Sequence, residues 1–226
     1  SYLIAWTVMP LDLEEQEQLD SLKAFWEKYR SVIMGLVTAV LFVFAAYNGW
    51  QWWKNSQATE AGKLYETMMA SIEKGNKEQS LQAADDLQKQ FAGTSYAPMA
   101  SLIAAKLAAD AGDAAKSQAY LRWVSEKAAN DGYKALGKLR LATALMDEGS
   151  AKSLAEADAI LKGKPTPGFE PLWLERRGDW YLVQDKNADA RASYLQAWKL
   201  LEKSKEFPQE ARSLLKVKLD AVGGIE

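Results

Sequence analysis

From Ser31 to Trp53 the chain carries no charged residue, although 26% of its residues overall are charged. As a helix rising about 1.5 Å per residue, the run reaches roughly 34 Å, against roughly 30 Å of bilayer hydrocarbon. Its flanks fit a membrane span. Trp26 and Tyr29 stand just before the run, and Tyr47, Trp50, Trp52 and Trp53 close it, so amphipathic rings fall at both water interfaces as anchors. A cleaved export signal needs a short basic leader and a small-residue cleavage site; here six acids precede the run and a Trp cluster ends it. A buried soluble helix can also be apolar all round, yet a domain this small has little core in which to enclose three nearly adjacent Trp residues. The sequence therefore predicts a transmembrane helix at 31–53, between an N-terminal tail at 1–30 and a larger domain at 54–226.

Lys23, Lys28 and Arg30 precede the span, and Lys54 and Lys63 follow it. This slight excess of positive charge puts the tail in the cytoplasm, leaving the domain on the far side. The first eight residues, SYLIAWTV, are uncharged and match no element around them; the biological start is expected at Met9, with 1–8 an upstream artefact. The stretch DLEEQEQLDSLKAFWEKYR has Leu19, Leu22, Phe25, Trp26 and Tyr29 at helical spacing and its acids toward the N-terminus. It reads as a short cytoplasmic amphipathic helix running into the membrane. Its first half fits a solvated tail nearly as well.

Two absences limit the chemistry. There is no Cys, which excludes thiol nucleophiles, disulfides, thiolate metal sites and a lipidated N-terminal Cys. There is no His either, which removes the commonest general base and transition-metal ligand. A net charge of -2 gives no basic surface for nucleic acid. Paired carboxylates occur at Asp85 with Asp86, Asp147 with Glu148 and Glu156 with Asp158, but each lies on a polar face or in a turn. No pattern there would bury one and raise its proton affinity, as acid–base work requires. No phosphate-binding loop, nucleophile elbow or metal-ligand spacing is present. The chain reads as a non-enzyme without cofactor or metal.

The domain is punctuated at a fixed interval. The turn-like clusters EKGNKE, DAGDAA and DEGSAK centre on Gly75, Gly112 and Gly149, each 37 residues from the next. Another such step lands on Lys186 in VQDKNAD, where Asp185 and Asn187 can supply turn and cap without Gly. Side-chain character keeps the same phase. Five residues before these centres stand Ala70, Leu107, Ala144 and Tyr181; eight after stand Ala83, Tyr120, Ala157 and Tyr194; twelve after stand Leu87, Val124, Leu161 and Trp198. With apolar residues at helical spacing on both flanks, each period is two antiparallel helices joined by a short turn. Breaks fall at Pro98, at Gly132 and at Pro165, Pro167 and Pro171, and Pro208 opens a last helix that caps the stack.

In the fourth period, Gly178 and Tyr181, then Ala190, Tyr194 and Ala197, resemble the tetratricopeptide pattern of small residues and aromatics. Tyr120 echoes Tyr194 two periods earlier. The fold class is therefore all-α: one N-terminal transmembrane helix, then a tetratricopeptide-like α-solenoid of about four helical hairpins plus a C-terminal capping helix. Such a stack offers a broad wall that binds peptides or partners. Candidate partner-binding residues are Trp173, Glu175, Arg176, Arg177, Asp179 and Trp180, the arginines as a clamp for a carboxylate. Packing between repeats for the Trp residues, and salt bridging to Glu170, Glu175 or Asp179 for the arginines, are weighed ahead of that role.

The acidic segment DLEEQEQLDSLKAFWEKYR, one span ending in GWQWW and a tetratricopeptide-like domain together resemble the YfgM-type ancillary subunits of the bacterial SecYEG translocon. The resemblance covers nearly the whole chain from Met9. It implies a single-pass inner-membrane protein whose repeat domain is periplasmic. Its implied partners are the translocon, a membrane-anchored periplasmic chaperone of the PpiD type, exported polypeptides and membrane lipid, but no nucleic acid. The family supplies no catalytic residues. Two other readings stay open: a membrane-anchored regulator that sequesters a cytoplasmic response regulator through its tail, and an assembly factor for envelope machinery.

Overall fold

The structure is a computed structural model that describes residues 13–225. Residues 1–8 and Met9, on which the expected start rests, lie outside the described residues. The described chain forms nine α-helices and no strand. They are α1 (Leu13–Glu73), α2 (Lys77–Gln90), α3 (Tyr96–Asp110), α4 (Ala114–Lys127), α5 (Asp131–Glu148), α6 (Ala151–Lys162), α7 (Glu170–Leu182), α8 (Asn187–Lys203) and α9 (Gln209–Ala221). Two compact units divide the chain after Asn55.

In the first unit the described residues belong to α1. Between residues 31 and 53 every side chain is exposed except the half-buried Ile33. The helix holds an 18-residue window of mean hydropathy 2.0 with none of it buried, so by length and composition it can cross a membrane. No described residue shields these apolar side chains, as a soluble core helix would require.

The second unit is a stack of hairpins. Helix α2 packs on α3, α3 pairs with α4, α5 with α6 and α7 with α8, and α9 closes the series against α8. The last part of α1 joins the stack through Ala61 and Met68 in the core and through Tyr65 against Tyr96 of α3. The 37-residue interval has a direct backbone cause. Gly75, Gly112 and Gly149 have φ of 71°, 80° and 71°, the left-handed conformation that lets the first helix of each hairpin end. The next residue starts the second helix: Asn76, Asp113 and Ser150 accept from the backbone N–H of Gln79, Lys116 and Ser153 at 3.0–3.1 Å, which satisfies a donor the helix start leaves free. In the fourth hairpin Asp185 takes the left-handed turn with φ 59°. The expected side-chain cap is absent there, since Lys186 holds the cap position without a cap hydrogen bond and Asn187 is already helical.

One core cluster runs from Ala61 and Met68 in α1 to Trp173 in α7. A second joins Ala190, Tyr194, Ala197 and Leu201 of α8 to Leu215 and Leu219 of α9. The repeat positions eight residues after each turn, Ala83, Tyr120, Ala157 and Tyr194, are all buried. The first-helix line differs from the sequence reading. Ala70 is exposed and Leu107, Ala144 and Tyr181 are half-buried, whereas Met68, Ala105 and Ala142, two residues earlier in the first three periods, are buried. Glycines set the closest helix approaches. A Cβ at Gly137 would come within 2.8 Å of the Ser125 backbone nitrogen, and one at Gly178 would overlap the Tyr194 ring.

Candidate interaction surfaces

The residues singled out for partner binding lie on α7, which packs against α5, α6 and α8. Trp173 is 3% exposed and its indole N–H donates to the Leu161 carbonyl at 3.2 Å. Trp180, half-buried, donates to the Leu154 carbonyl at 3.0 Å. Both indole N–H groups thus find carbonyl acceptors on α6, that of Leu161 being one the helix end leaves free, as an indole must when it is taken out of water. Arg177 bonds to Asp158 of α6 at 2.7 Å while its guanidinium lies 4.6 Å from the Trp180 ring and 5.1 Å from the Tyr181 ring, a stacked and paired cation. Its partner is in the preceding hairpin, outside the acids the sequence reading considered. Arg176 meets Asp179 one turn on, at 3.1 Å.

Glu175 carries a second relationship that the sequence did not reveal. It is 5% exposed and accepts from Lys218 of α9 at 2.6 Å, and the same ammonium reaches Asp179 at 2.8 Å. Asp179 also accepts from the Tyr194 hydroxyl at 2.6 Å. Helices α7, α8 and α9 are thereby fastened around the Lys218 ammonium and two carboxylates, with Arg176 also on Asp179, each paired, which is the condition for burying them. Burial, the hydrogen bond to Asp179 and the charges of Asp179 and Glu175 together push the Tyr194 phenol well above its ordinary value.

The paired carboxylates resolve in a similar way. At least one member of each pair links helices instead of merely meeting water: Asp85 accepts from Tyr120 at 2.7 Å, Glu148 from Gln118 at 2.7 Å and Glu156 takes Arg122 through both oxygens at 2.7 Å, beside the Asp158–Arg177 bond already described. Burial first, then the bond to Asp85 and its charge, raises the Tyr120 phenol. At Asp158 burial raises the proton affinity, but hydrogen bonds and charge from Lys162 and Arg177 outweigh it and hold the carboxyl below its usual range. Glu148, through its hydrogen bonds from Gln118 and Ser153, and Asp158 are held ionised by partners, the opposite of a proton donor poised near neutrality. Among the described residues no three acidic side chains gather as a metal site.

A groove of about 400 Å³ lies between α8 and α9, with Trp198 and Leu201 along it and Glu202, Gln209, Arg212, Ser213 and Lys216 lining the rest. Arg212 is tied to the Ser204 carbonyl. This groove was missed from sequence because its two walls are brought together by the second core cluster across the Pro208 turn. In the first unit, Trp26, Tyr29, Tyr47, Trp50, Trp52 and Trp53, expected from sequence as interface anchors, are all exposed on α1. Trp50 and Trp53 pack at 5.5 Å between ring centroids, and Gln51 donates to the Tyr47 hydroxyl at 3.2 Å.

Comparison with known proteins agrees with this architecture. The family model described as a tetratricopeptide repeat-like domain matches residues 23–224. A Neisseria gonorrhoeae protein named ancillary SecYEG translocon subunit is 29% identical over 220 residues, covering 95% of this chain and all of that one. Proteins of the same name from Aggregatibacter actinomycetemcomitans and Escherichia coli K12 are 28% and 27% identical, covering 84% and 80% of this chain and 91% and 85% of theirs. No solved structure matches the chain. The chain thus belongs to the tetratricopeptide repeat-like domain family, as a YfgM-like member.

Proposed function

We propose that this protein is a non-enzymatic, membrane-anchored adaptor of the SecYEG translocon. In this reading residues 31–53 span the inner membrane, residues 1–30 lie in the cytoplasm and residues 54–226 form a periplasmic repeat domain. The domain associates with the translocon and with a membrane-anchored periplasmic chaperone of the PpiD type, and assists newly exported polypeptides. Residues 173–180 and the α8–α9 groove are its candidate contact region, through whatever edges of those side chains remain exposed.

The observation that carries the reading is the union, in one chain, of an uncovered apolar helix with a hairpin stack whose carboxylates and cations are used in fastening helices together. A stack so built has a surface for binding and no poised acid, base or nucleophile. The relatives' shared name supplies the partner.

Protease treatment of sealed spheroplasts tests the topology: the repeat domain should be digested while an N-terminal tag survives. Crosslinking in native membranes then tests the partners. Recovery of neither the translocon nor a periplasmic chaperone under several chemistries would overturn the adaptor role.

A further inference from the structure

Ahead of the span, α1 presents an apolar stripe that the adaptor reading leaves unused. Leu19, Leu22, Phe25, Trp26 and Tyr29 are 44%, 65%, 54%, 50% and 39% exposed. At about 100° per residue they fall within an arc of about 120° on one side of the helix. Glu14, Glu15, Glu17 and Asp20 crowd the first turns of the helix, whereas Lys23, Lys28 and Arg30 lie nearer the span.

Lipid does not account for this stripe. The helix continues without a break through residue 31, so the segment stands out from the bilayer along the helix axis. Headgroups extend roughly 5–8 Å beyond the hydrocarbon on each side, which takes in Tyr29 and reaches Trp26. Leu22 and Leu19 lie about 14 Å and about 18 Å beyond residue 31 at the helical rise, past that layer. The acidic end would also be repelled by the anionic lipid of a cytoplasmic leaflet. A second copy fits no better. Five of the seven small residues of the span, Ser31, Gly35, Thr38, Ala45 and Gly49, share the side of the helix opposite Leu22 and Tyr29, so two copies paired through them would turn both stripes outward.

Charge selects the partner. Integral membrane proteins concentrate Lys and Arg in their short cytoplasmic loops, at the depth where Glu14, Glu15, Glu17 and Asp20 stand. We infer that residues 13–29 dock, by the Leu19–Leu22–Phe25 stripe, into an apolar groove flanked by the basic cytoplasmic loops of a multi-span membrane protein. The inference rests on the topology proposed above and makes the anchor a second, cytoplasmic point of attachment. It is a helix-in-groove contact whose register the acidic end fixes by complementarity.

Photo-crosslinking of the full-length protein in native membranes tests this, with a benzophenone side chain placed at Leu22 on the stripe or at Ala24 on the far side. Leu22 should give an adduct at least about tenfold stronger than Ala24, and mass spectrometry should map it to a Lys/Arg-rich cytoplasmic loop of a multi-span protein. Substituting Glu14, Glu15, Glu17 and Asp20 together by Lys should reduce that adduct at least about fivefold, while the protein still resists alkaline extraction. Adducts to lipid, to a second copy or to a soluble regulator, or equal yields from the two faces, would overturn the inference. Protease accessibility of the same membranes reads the topology separately. A periplasmic N-terminus sinks the adaptor reading, whereas the expected topology without a face-specific adduct sinks this inference alone.

Discussion

The Tyr194 ring occupies the space where Gly178 would carry a Cβ, and its hydroxyl ends on Asp179. Helix α8 therefore packs on α7 through a contact that one methyl group blocks. Gly178→Ala should cost about 1–3 kcal/mol, the range for overfilling a packed site, read as a lowered urea midpoint at unchanged slope. In the double variant with Tyr194→Leu, the added cost of the alanine should shrink to well under about 1 kcal/mol, since non-additivity marks residues in contact. Additive costs would show that the ring moves aside freely.

Lys218 neutralises Glu175 and Asp179 from across two helices. Lys218→Met should destabilise the repeat domain by about 3 kcal/mol, the low end for breaking a buried pair, because the Glu175 side chain is only 7% exposed and loses its cation. Changing Glu175 to Met as well should recover most of that loss. Thermal unfolding of the two variants side by side checks this; equal destabilisation would mean that packing, and not the stranded carboxylate, sets the cost.

Tyr120 and Tyr194 both have phenols raised above their ordinary value by burial and by a carboxylate partner. Below about pH 10, the usual phenol value, folded and unfolded chains both hold these protons and stability is unaffected. Above it the unfolded chain releases protons that the folded chain keeps, so stability must fall as pH rises. Denaturation midpoints measured from pH 8 to 11 should show this fall, and Tyr120→Phe and Tyr194→Phe should each flatten it. An unchanged slope in both variants would assign the alkaline loss elsewhere.

The period was legible because backbone geometry demands particular residues. A left-handed turn followed at once by a helix cap selects Gly–Asn, Gly–Asp and Gly–Ser, and those pairs stand out at Gly75, Gly112 and Gly149. The aromatic of the fourth hairpin was legible for the same reason, a glycine placed opposite a large ring. The buried line of the first helices was not, because Ala105 and Ala142 are alanines in an alanine-rich chain and carry no distinguishing signal. Nor was the difference between the two echoing tyrosines. Two periods before Gly178 stands Ala104, and Tyr120 sends its hydroxyl back to Asp85 of the previous hairpin. The Glu175–Lys218 and Arg177–Asp158 pairs join residues 43 and 19 positions apart, a relation set by stacking geometry and invisible to any local pattern.

The turns themselves can be tested by exchange. Gly112 has φ 80° with open space around a built Cβ, so Gly112→Ala should cost only the backbone term, about 1–2 kcal/mol. Asp185 already bears that strain at φ 59°, and Asp185→Gly should leave stability unchanged or raise it by up to about 1 kcal/mol. Opposite signs for the two variants in the same denaturation experiment are the expected result. Matching losses would show that the Asp185 side chain contributes more than its turn.

The span is the feature on which the adaptor reading turns, and it makes a graded prediction. Placing Arg at the centre of a bilayer-spanning helix costs about 2.5–3.5 kcal/mol per residue on an insertion scale. Val40→Arg should therefore lower the membrane-inserted fraction modestly, because the other sixteen apolar residues of 31–53 still favour insertion, whereas Val40→Arg with Phe44→Arg should abolish it. Both side chains are exposed in α1, at 63% and 64%, so neither change disturbs a packed core. A helix bathed in hydrocarbon must respond steeply to the second charge, while one bathed in water would gain solubility from both without change of compartment. Alkaline extraction followed by detection of the intact chain distinguishes these. If the double variant stays in the membrane fraction as firmly as the parent, residues 31–53 are not what holds the protein there.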